Sequence, residues 1–350
     1  MIIVLKMKPL KITSRPKGKN LGRLLTTGLT LVGILGATGV FADEVKKQDT
    51  KPKQTELERE LFFISDHLGE SEIFAIKEKD LKEGTTDDSY EDDGIEKVIG
   101  GLCTEFAVSS DRRYFACTEN KGAPIGIYMV DTEKGTANRV TNPLDDNAVG
   151  DYDLIFGNDE RLYFSRAYEN GRVRHICSTG LDGSDFRNLT KDHKVPKGVY
   201  RVSNKGIAIL PDGRIIFSCQ YIKVKDEKRW KLTDYRTICI IDNDGSDKRD
   251  LTDRSTDDTQ PSVSQGRIIT YVSSSGIENA IKTMEIDGSN KKTWVKFNSP
   301  REGVVRSPVL SNDGRHVYFS LRGDIYRVGI NGSLERITNT KANEYSLKFN

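Results

Sequence analysis

The sequence predicts an all-β protein assembled from repeated four-stranded antiparallel sheets. Three observations carry that expectation. Short alternating or β-branched runs of five to seven residues fill the chain from residue 60 onward. An Asp-Gly or Asn-Gly hairpin signal returns at Asp182-Gly183, Asp244-Gly245, Asp287-Gly288 and Asn331-Gly332. The two ends of the chain carry complementary fragments of one such unit.

The unit is clearest in "SPVLSNDGRHVYFSLRGDIYRVGINGSLERITNT", from Ser307 to Thr340. "SPVLS" alternates into the turn Asn312-Asp313-Gly314, and "HVYFSL" follows with β-branched and aromatic residues. "DIYRVGI" is the third run. Asn331-Gly332 tolerates positive φ and turns the chain into the fourth run, "LERIT". Other copies begin at Thr104, Tyr152, Gly206 and Pro261. The last three hairpin signals recur every 43 or 44 residues; the wider gap before Asp244 holds an insertion, "YIKVKDEKRWKLTDY". Four short strands at this period predict a propeller.

Glu60 to Ile76, "ELFFISDHLGESEIFAI", reads as the second and third strands of a unit, and "IEKVIG" (Ile95 to Gly100) as the fourth. Its first strand is missing. The terminal "EYSLKFN" is a lone first-strand pattern. A sheet shared between the two ends closes a ring and removes open edges. The expected fold is a six-bladed β-propeller, with the first blade completed by the C-terminal strand.

"LPDGRIIFS", "SNDGRHVYFS", "LDGSDFRNLT" and "DNDGSDKRDLT" resemble the WD-repeat-like propeller units of the TolB family. The resemblance runs from about Glu60 to Asn350. One copy departs from it, reading Gln265-Gly266 where the others have Asp. TolB itself carries an α/β domain ahead of its propeller, and the short stretch between the leader and Glu60 does not match one.

Residues 1–42 read as a secretory signal. They hold seven Lys or Arg and no Asp or Glu. The apolar run Leu24 to Phe41 ends with Val40 and Ala42 at the positions a signal peptidase reads. An uncleaved anchor is the alternative, and either places the remainder outside the cytoplasm. Residues 43–58, "DEVKKQDTKPKQTELE", are charged and without apolar rhythm, so a flexible linker is expected there, with the propeller over 59–350. The whole chain has a formal charge of +2, but removal of the seven leader cations leaves 47 basic against 52 acidic residues. That balance argues against a nucleic-acid partner.

Motifs that carry chemistry are sparse. The four histidines, His67, His175, His193 and His316, have no second His at metal-ligand spacing. No Gly-x-Ser-x-Gly elbow or P-loop occurs. "DNDGSDKRD" fails the EF-hand pattern at its Gly and reads as a solvated hairpin. "TTDDSYEDD" (Thr85 to Asp93) reads as an acidic loop. The turn residues Asp111, Asp159, Asp212 and Asp313 are expected to accept the backbone N–H two residues on. Thr141, Thr190, Thr252 and Thr338 are expected on outer strands or in turns. Five cysteines leave at least one thiol unpaired. Their repetition at equivalent places reads as small packing residues, with a Cys219–Cys239 bridge as the alternative.

Propellers bind where their first strands converge. Alignment of the units puts Glu105, Asp153, Gln260, Arg306 and Glu344 at the channel mouth, a mostly acidic ring suited to a cation or a basic peptide segment. Trp230, on the inserted loop, is a second candidate contact. The expected function is an exported, periplasmic or secreted, monomeric scaffold that binds a protein or peptide partner. No catalytic residue, metal ligand or cofactor is assigned. A channel divalent cation would accompany the alternative, a carbohydrate-active lyase or hydrolase of the cell envelope or extracellular space.

Overall fold

Among the described residues, almost every apolar run forms a strand, and most middle strands are buried on both faces. Leu61, Phe62, Phe63 and Ile64 are all at most 1% exposed, as are Ile238 to Ile241. Such near-continuous apolar strands belong in sheets covered on both sides. The computed structural model describes residues 59–66, 71–81, 85–86, 95–99, 103–119, 124–171, 173–193, 199–223, 235–264 and 267–349. The signal and linker segments and Trp230 lie outside the described residues. Among the described residues, no helix is long and apolar enough to cross a membrane.

The first sheet contains β1 (Glu60–Ser65), β2 (Glu72–Lys77) and β4 (Glu96–Ile99). The two-residue β3 (Thr85–Thr86) pairs with a late segment instead. β5 (Cys103–Val108), β6 (Tyr114–Glu119), β7 (Ile127–Asp131) and β8 (Thr136–Arg139) form the second. Next come β9 (Ala148–Phe156), β10 (Arg161–Tyr168), β11 (Val173–Gly180) and β12 (Arg187–Asn188). They are followed by β13 (Val199–Ile209), β14 (Ile215–Lys223), β15 (Thr237–Ile241) and β16 (Arg249–Asp250). These two groups merge into one eight-stranded sheet, because β11 and β13 pair in parallel at Val173↔Val202 and Arg174↔Ser203. β17 (Asp257–Val263) to β20 (Lys292–Asn298) enclose β18 (Ile268–Ser275) and β19 (Glu278–Glu285). A single helical turn, α1 (Ser299–Glu302), leads to β21 (Val305–Leu310), β22 (His316–Leu321), β23 (Asp324–Gly329) and β24 (Leu334–Arg336). β25 (Thr338–Asn339) pairs with β3, and β26 (Glu344–Phe349) ends the chain.

β26 completes the first sheet. It runs antiparallel to β1, with Leu61↔Phe349, Phe62↔Lys348, Ile64↔Tyr345 and Ser65↔Glu344 as partners. The first strands touch in the cyclic order β26, β5, β9, β13, β17, β21 and back to β26. The core follows the same circle. Six apolar clusters each lie between two neighbouring strand groups. One joins Phe63 and Phe74 to Tyr318 and Ile325, across the two ends of the chain.

Repeated polar contacts fasten neighbours together. The backbone N–H of Ile127, Ile176, Ile238 and Ile325 donates to the hydroxyl of Thr141, Thr190, Thr252 and Thr338, at 2.8 to 3.0 Å. Two of those hydroxyls also meet the next first strand. Asn204 donates to Thr190 at 3.3 Å, and Thr338 donates to Glu344 at 2.8 Å. Asp111, Asp212 and Asp313 each accept the backbone N–H two residues on, at 2.9 to 3.2 Å. Asp159 instead accepts the Tyr163 hydroxyl at 2.8 Å.

The Asp-Gly hairpins differ from the two-residue form expected at Asn331-Gly332. Only the glycine takes positive φ, 84° to 92° at Gly183, Gly245, Gly288 and Gly332. In the first, Gly183 N–H donates to Gly180 O and Gly180 N–H to Ser184 O. This is a type I turn closed by a glycine bulge. A Cβ at Gly183 would lie 2.5 Å from the Val140 carbonyl oxygen of the preceding sheet. Glycine is therefore required twice over, for φ and for that approach.

Four cysteines are paired, which corrects the packing role expected for them. Cys103–Cys117 and Cys219–Cys239 are disulfides with Cα atoms 5.6 and 6.2 Å apart. Both link adjacent strands of one sheet. Cys177 is free and buried.

Candidate functional site

Each first strand breaks its alternation with a bulge. Asp153, Gly206, Gln260, Ser307 and Ser346 have φ between 50° and 65° and occupy equivalent places in β9, β13, β17, β21 and β26. β5 shifts register between Cys103 and Glu105. A bulge re-aims the residues beside it. Here all six first strands line a common cavity of about 520 Å³, within the size range of ligand sites.

Glu105, Asp153, Gln260 and Arg306 are brought together on its wall. Glu105 Oε2 accepts the backbone N–H of Asp153, on the next first strand. Gln260 Oε1 accepts that of Ser307 at 2.6 Å, in the same relation one strand group further round. Asp153 Oδ2 accepts the Ser165 hydroxyl at 2.6 Å, and Arg174 Nη1 lies 3.9 Å from it.

Glu344 is a correction. It is 0% exposed and does not line the cavity. It accepts hydroxyl protons from Thr338 and Thr340, and its carbonyl accepts that of Ser320 at 2.6 Å. The place matching Asp153 on the last strand belongs to Ser346, two residues later. Arg306 likewise stands one residue ahead of Ser307. The acidic character expected of the wall is corrected as well. Lys205, Arg236, Arg306, Lys348 and Arg59 line it beside the two carboxylates. The sequence alignment compared only the residues on one frame, and the bulges bring in those of the other.

Two groups on this wall titrate near neutrality. Burial, with the Asp153 charge adding to it, raises Glu105 to about 7. Burial lowers Lys348 to about 8, opposed by the charges of Glu105 and Asp153. The Lys348 ammonium donates to Leu154 O. Burial also lowers Lys205, and the cations of Arg236 and Arg174 act in the same direction. Arg236 is held by Asp257, Nε to Oδ1 at 2.8 Å.

Among the described residues, His175, His193 and His316 do not line the cavity; His67 lies outside the described residues. His175 Nδ1 lies 3.2 Å from the Thr190 hydroxyl, and His193 Nε2 lies 2.8 Å from Gly245 O. Among the described residues, the His, Cys, Asp and Glu side chains grouped closely enough to hold an ion are Cys219, Cys239 and Asp250. Their two sulfurs are joined in the disulfide, and none of the three lines the cavity.

No protein-family model matches this chain, and no curated protein matches it. Solved structures do. TolB from Acinetobacter baumannii aligns with a TM-score of 0.59 at 15% identity, over 83% of this chain and 66% of that one. This chain thus spans slightly less than two thirds of that TolB. A nidogen/laminin complex aligns at 0.56 and 11% identity, over 83% of this chain and 98% of that chain. Oligogalacturonate lyase from Vibrio parahaemolyticus aligns at 0.52 and 12% identity, over 80% and 74%. At these identities the likeness speaks for the fold alone: this chain has a TolB-like β-propeller architecture.

Proposed function

We propose that this protein is an exported, monomeric, non-enzymatic six-bladed β-propeller that binds a protein or peptide partner at its axial cavity, with the blade loops, including that of Trp230, widening the contact. The observation that carries the reading is the cavity itself. Every first strand contributes to it, and its wall presents charged side chains and re-aimed backbone rather than a nucleophile with its base. The six-bladed count is supported by six apolar clusters in cyclic order, with the parallel β11–β13 pairing as a local bridge between two blades. Two disulfides support an oxidising compartment, in keeping with residues 1–42 as a signal and 43–58 as a linker. TolB and nidogen among the similar structures are consistent with binding as the task of the fold.

The test is a cross-linking pull-down from the native cell envelope, read by mass spectrometry, with the mature protein and its Gln260→Trp variant, which fills the cavity. A partner captured by the parent and lost by the folded variant is the expected result. Capture that ignores the substitution contradicts the reading.

Glu105 and Lys348 favour one second reading. A carboxyl group at about 7 and an amine at about 8 in one cavity suit general acid–base chemistry. An envelope or extracellular carbohydrate would be the substrate, with a divalent cation supplied. Polysaccharide cleavage abolished by Glu105→Gln would establish that alternative; no cleavage of a polysaccharide panel, with or without Mn²⁺ or Ca²⁺, would dismiss it.

A further inference from the structure

The charges on the cavity wall are separated around the ring. Glu105 and Asp153 stand on consecutive first strands, β5 and β9. Lys205 and Arg306 stand on β13 and β21, one residue before the bulges at Gly206 and Ser307, and flank Gln260 on β17. Glu105 and Asp153 are engaged with each other, with Ser165 and with the field of Lys348. Lys205 and Arg306 are different. Among the described residues, neither ammonium nor guanidinium has a carboxylate within ion-pairing distance, although both line the cavity. The neighbouring Arg236 gives its fork to Asp257, whose charge reaches Lys205 only as a field. Gly206, at φ 65°, lets β13 run close against β17: a Cβ there would already rest in contact with Pro261 Cδ at 3.4 Å and the Gln260 backbone at 3.5 Å.

We infer that this arc is an anion-recognition subsite that takes a carboxylate side chain of an acidic peptide segment, held between Lys205 and Arg306. Two cations that line a cavity without an ion-pair partner of their own are complementary to a ligand that brings one, and charge complementarity gives specificity more than raw affinity. Arg306 can receive a carboxylate in two-point fashion, which Lys205 supplements as a point charge. A polyuronate offers the same carboxylate chemistry, but sugar rings need aromatic faces. Of the aromatic rings on the wall, Phe349 lies under the Arg59 guanidinium at 3.8 Å and Phe106 under the Lys348 ammonium at 5.9 Å. The peptide source is therefore favoured. The inference rests on the binding reading above and adds the charge of the bound segment.

The test is fluorescence-polarisation titration of the mature protein at low salt with three capped, labelled peptides: Ac-(Gly-Asp)4-NH2, Ac-(Gly-Asn)4-NH2 and Ac-(Gly-Lys)4-NH2. The aspartate peptide is expected to bind at least about tenfold more tightly than the other two, and to weaken steeply as salt is added. Lys205→Met and Arg306→Met, with melting unchanged, are each expected to weaken it about tenfold, and Arg306→Lys to restore part of the loss. A preference for the lysine peptide, tighter binding of hexagalacturonate than of the aspartate peptide, or indifference to both Met variants would overturn the inference. The ligand comparison needs no variant, so a variant that fails to fold leaves it decisive. Equal binding of all three peptides, abolished by Gln260→Trp, overturns the charge assignment and keeps the cavity reading. No binding, or binding that survives Gln260→Trp, overturns both.

Discussion

Asp212 shows how far single side chains could be read in advance. Its Oδ1 accepts Arg214 N–H at 3.2 Å and its Oδ2 pairs with the Arg214 guanidinium at 2.8 Å. Asp212→Ala is expected to cost about 1 kcal/mol by denaturant melting and to leave partner binding intact; an unchanged midpoint would deny the turn its bond. Glu105 carries a pH signature. The folded protein keeps a proton that the unfolded chain releases above about 4.5, so the stability gained from this group is complete below that pH and lost as pH rises through about 7. Lys348 has the opposite sense, its contribution being present above 10.5 and lost as pH falls through about 8. Glu105→Gln is expected to flatten the decline of melting temperature between about pH 5 and pH 7; parallel curves for parent and variant would argue against it. Asp111, Asp212 and Asp313 were legible because their bonds are local, whereas Asp159 is taken by the Tyr163 hydroxyl of the next strand. The positions of Glu344 and Lys205 were not, because a bulge is one extra residue that no local signal announced.

Between elements, the threonines that follow the outer strands act as latches. Thr338 takes the N–H of Ile325 and gives its proton to Glu344 on β26. Glu344→Ala would leave the Thr338 and Thr340 hydroxyls without their acceptor and open a hole in a fully buried place. The expected loss is about 2–4 kcal/mol in chemical denaturation; a loss under about 0.5 kcal/mol would show that the latch is slack. Thr141, Thr190, Thr252 and Thr338 were legible as closing residues from the Arg-x-Leu-Thr and related endings, and each lies two residues beyond its outer strand, β8, β12, β16 or β24. Their partners were not, since Asn204 and Glu344 come from the following sheet. The cysteines follow the same rule. Equivalent spacing suggested common packing; neighbouring strands made the Cys219–Cys239 bridge readable as the alternative, and the Cys103–Cys117 bridge was not read. Non-reducing mass mapping should find Cys103–Cys117, Cys219–Cys239 and one thiol that reacts only after unfolding. Reduction should cost about 3 kcal/mol per bridge at these loop lengths; five accessible thiols in the unreduced, unfolded protein would refute both bridges.

For the whole molecule, the repeat period and the complementary ends made the circular architecture readable before any coordinates. Hydrophobic periodicity recurs in each copy, so errors in one unit are corrected by the others. The cavity was less readable because its wall is a property of the circle: Lys205 and Arg306 become neighbours of Gln260 only after three separate units converge. The central claim is that β26 and β1 close the ring as one cooperative structure. Native-state hydrogen exchange followed by mass spectrometry tests it most directly. Amides of Glu344–Phe349 and Glu60–Ser65 should exchange together, as slowly as the middle strands β14 and β18, through global unfolding. Exchange of the terminal strand within minutes, while β1 stays protected, would contradict closure.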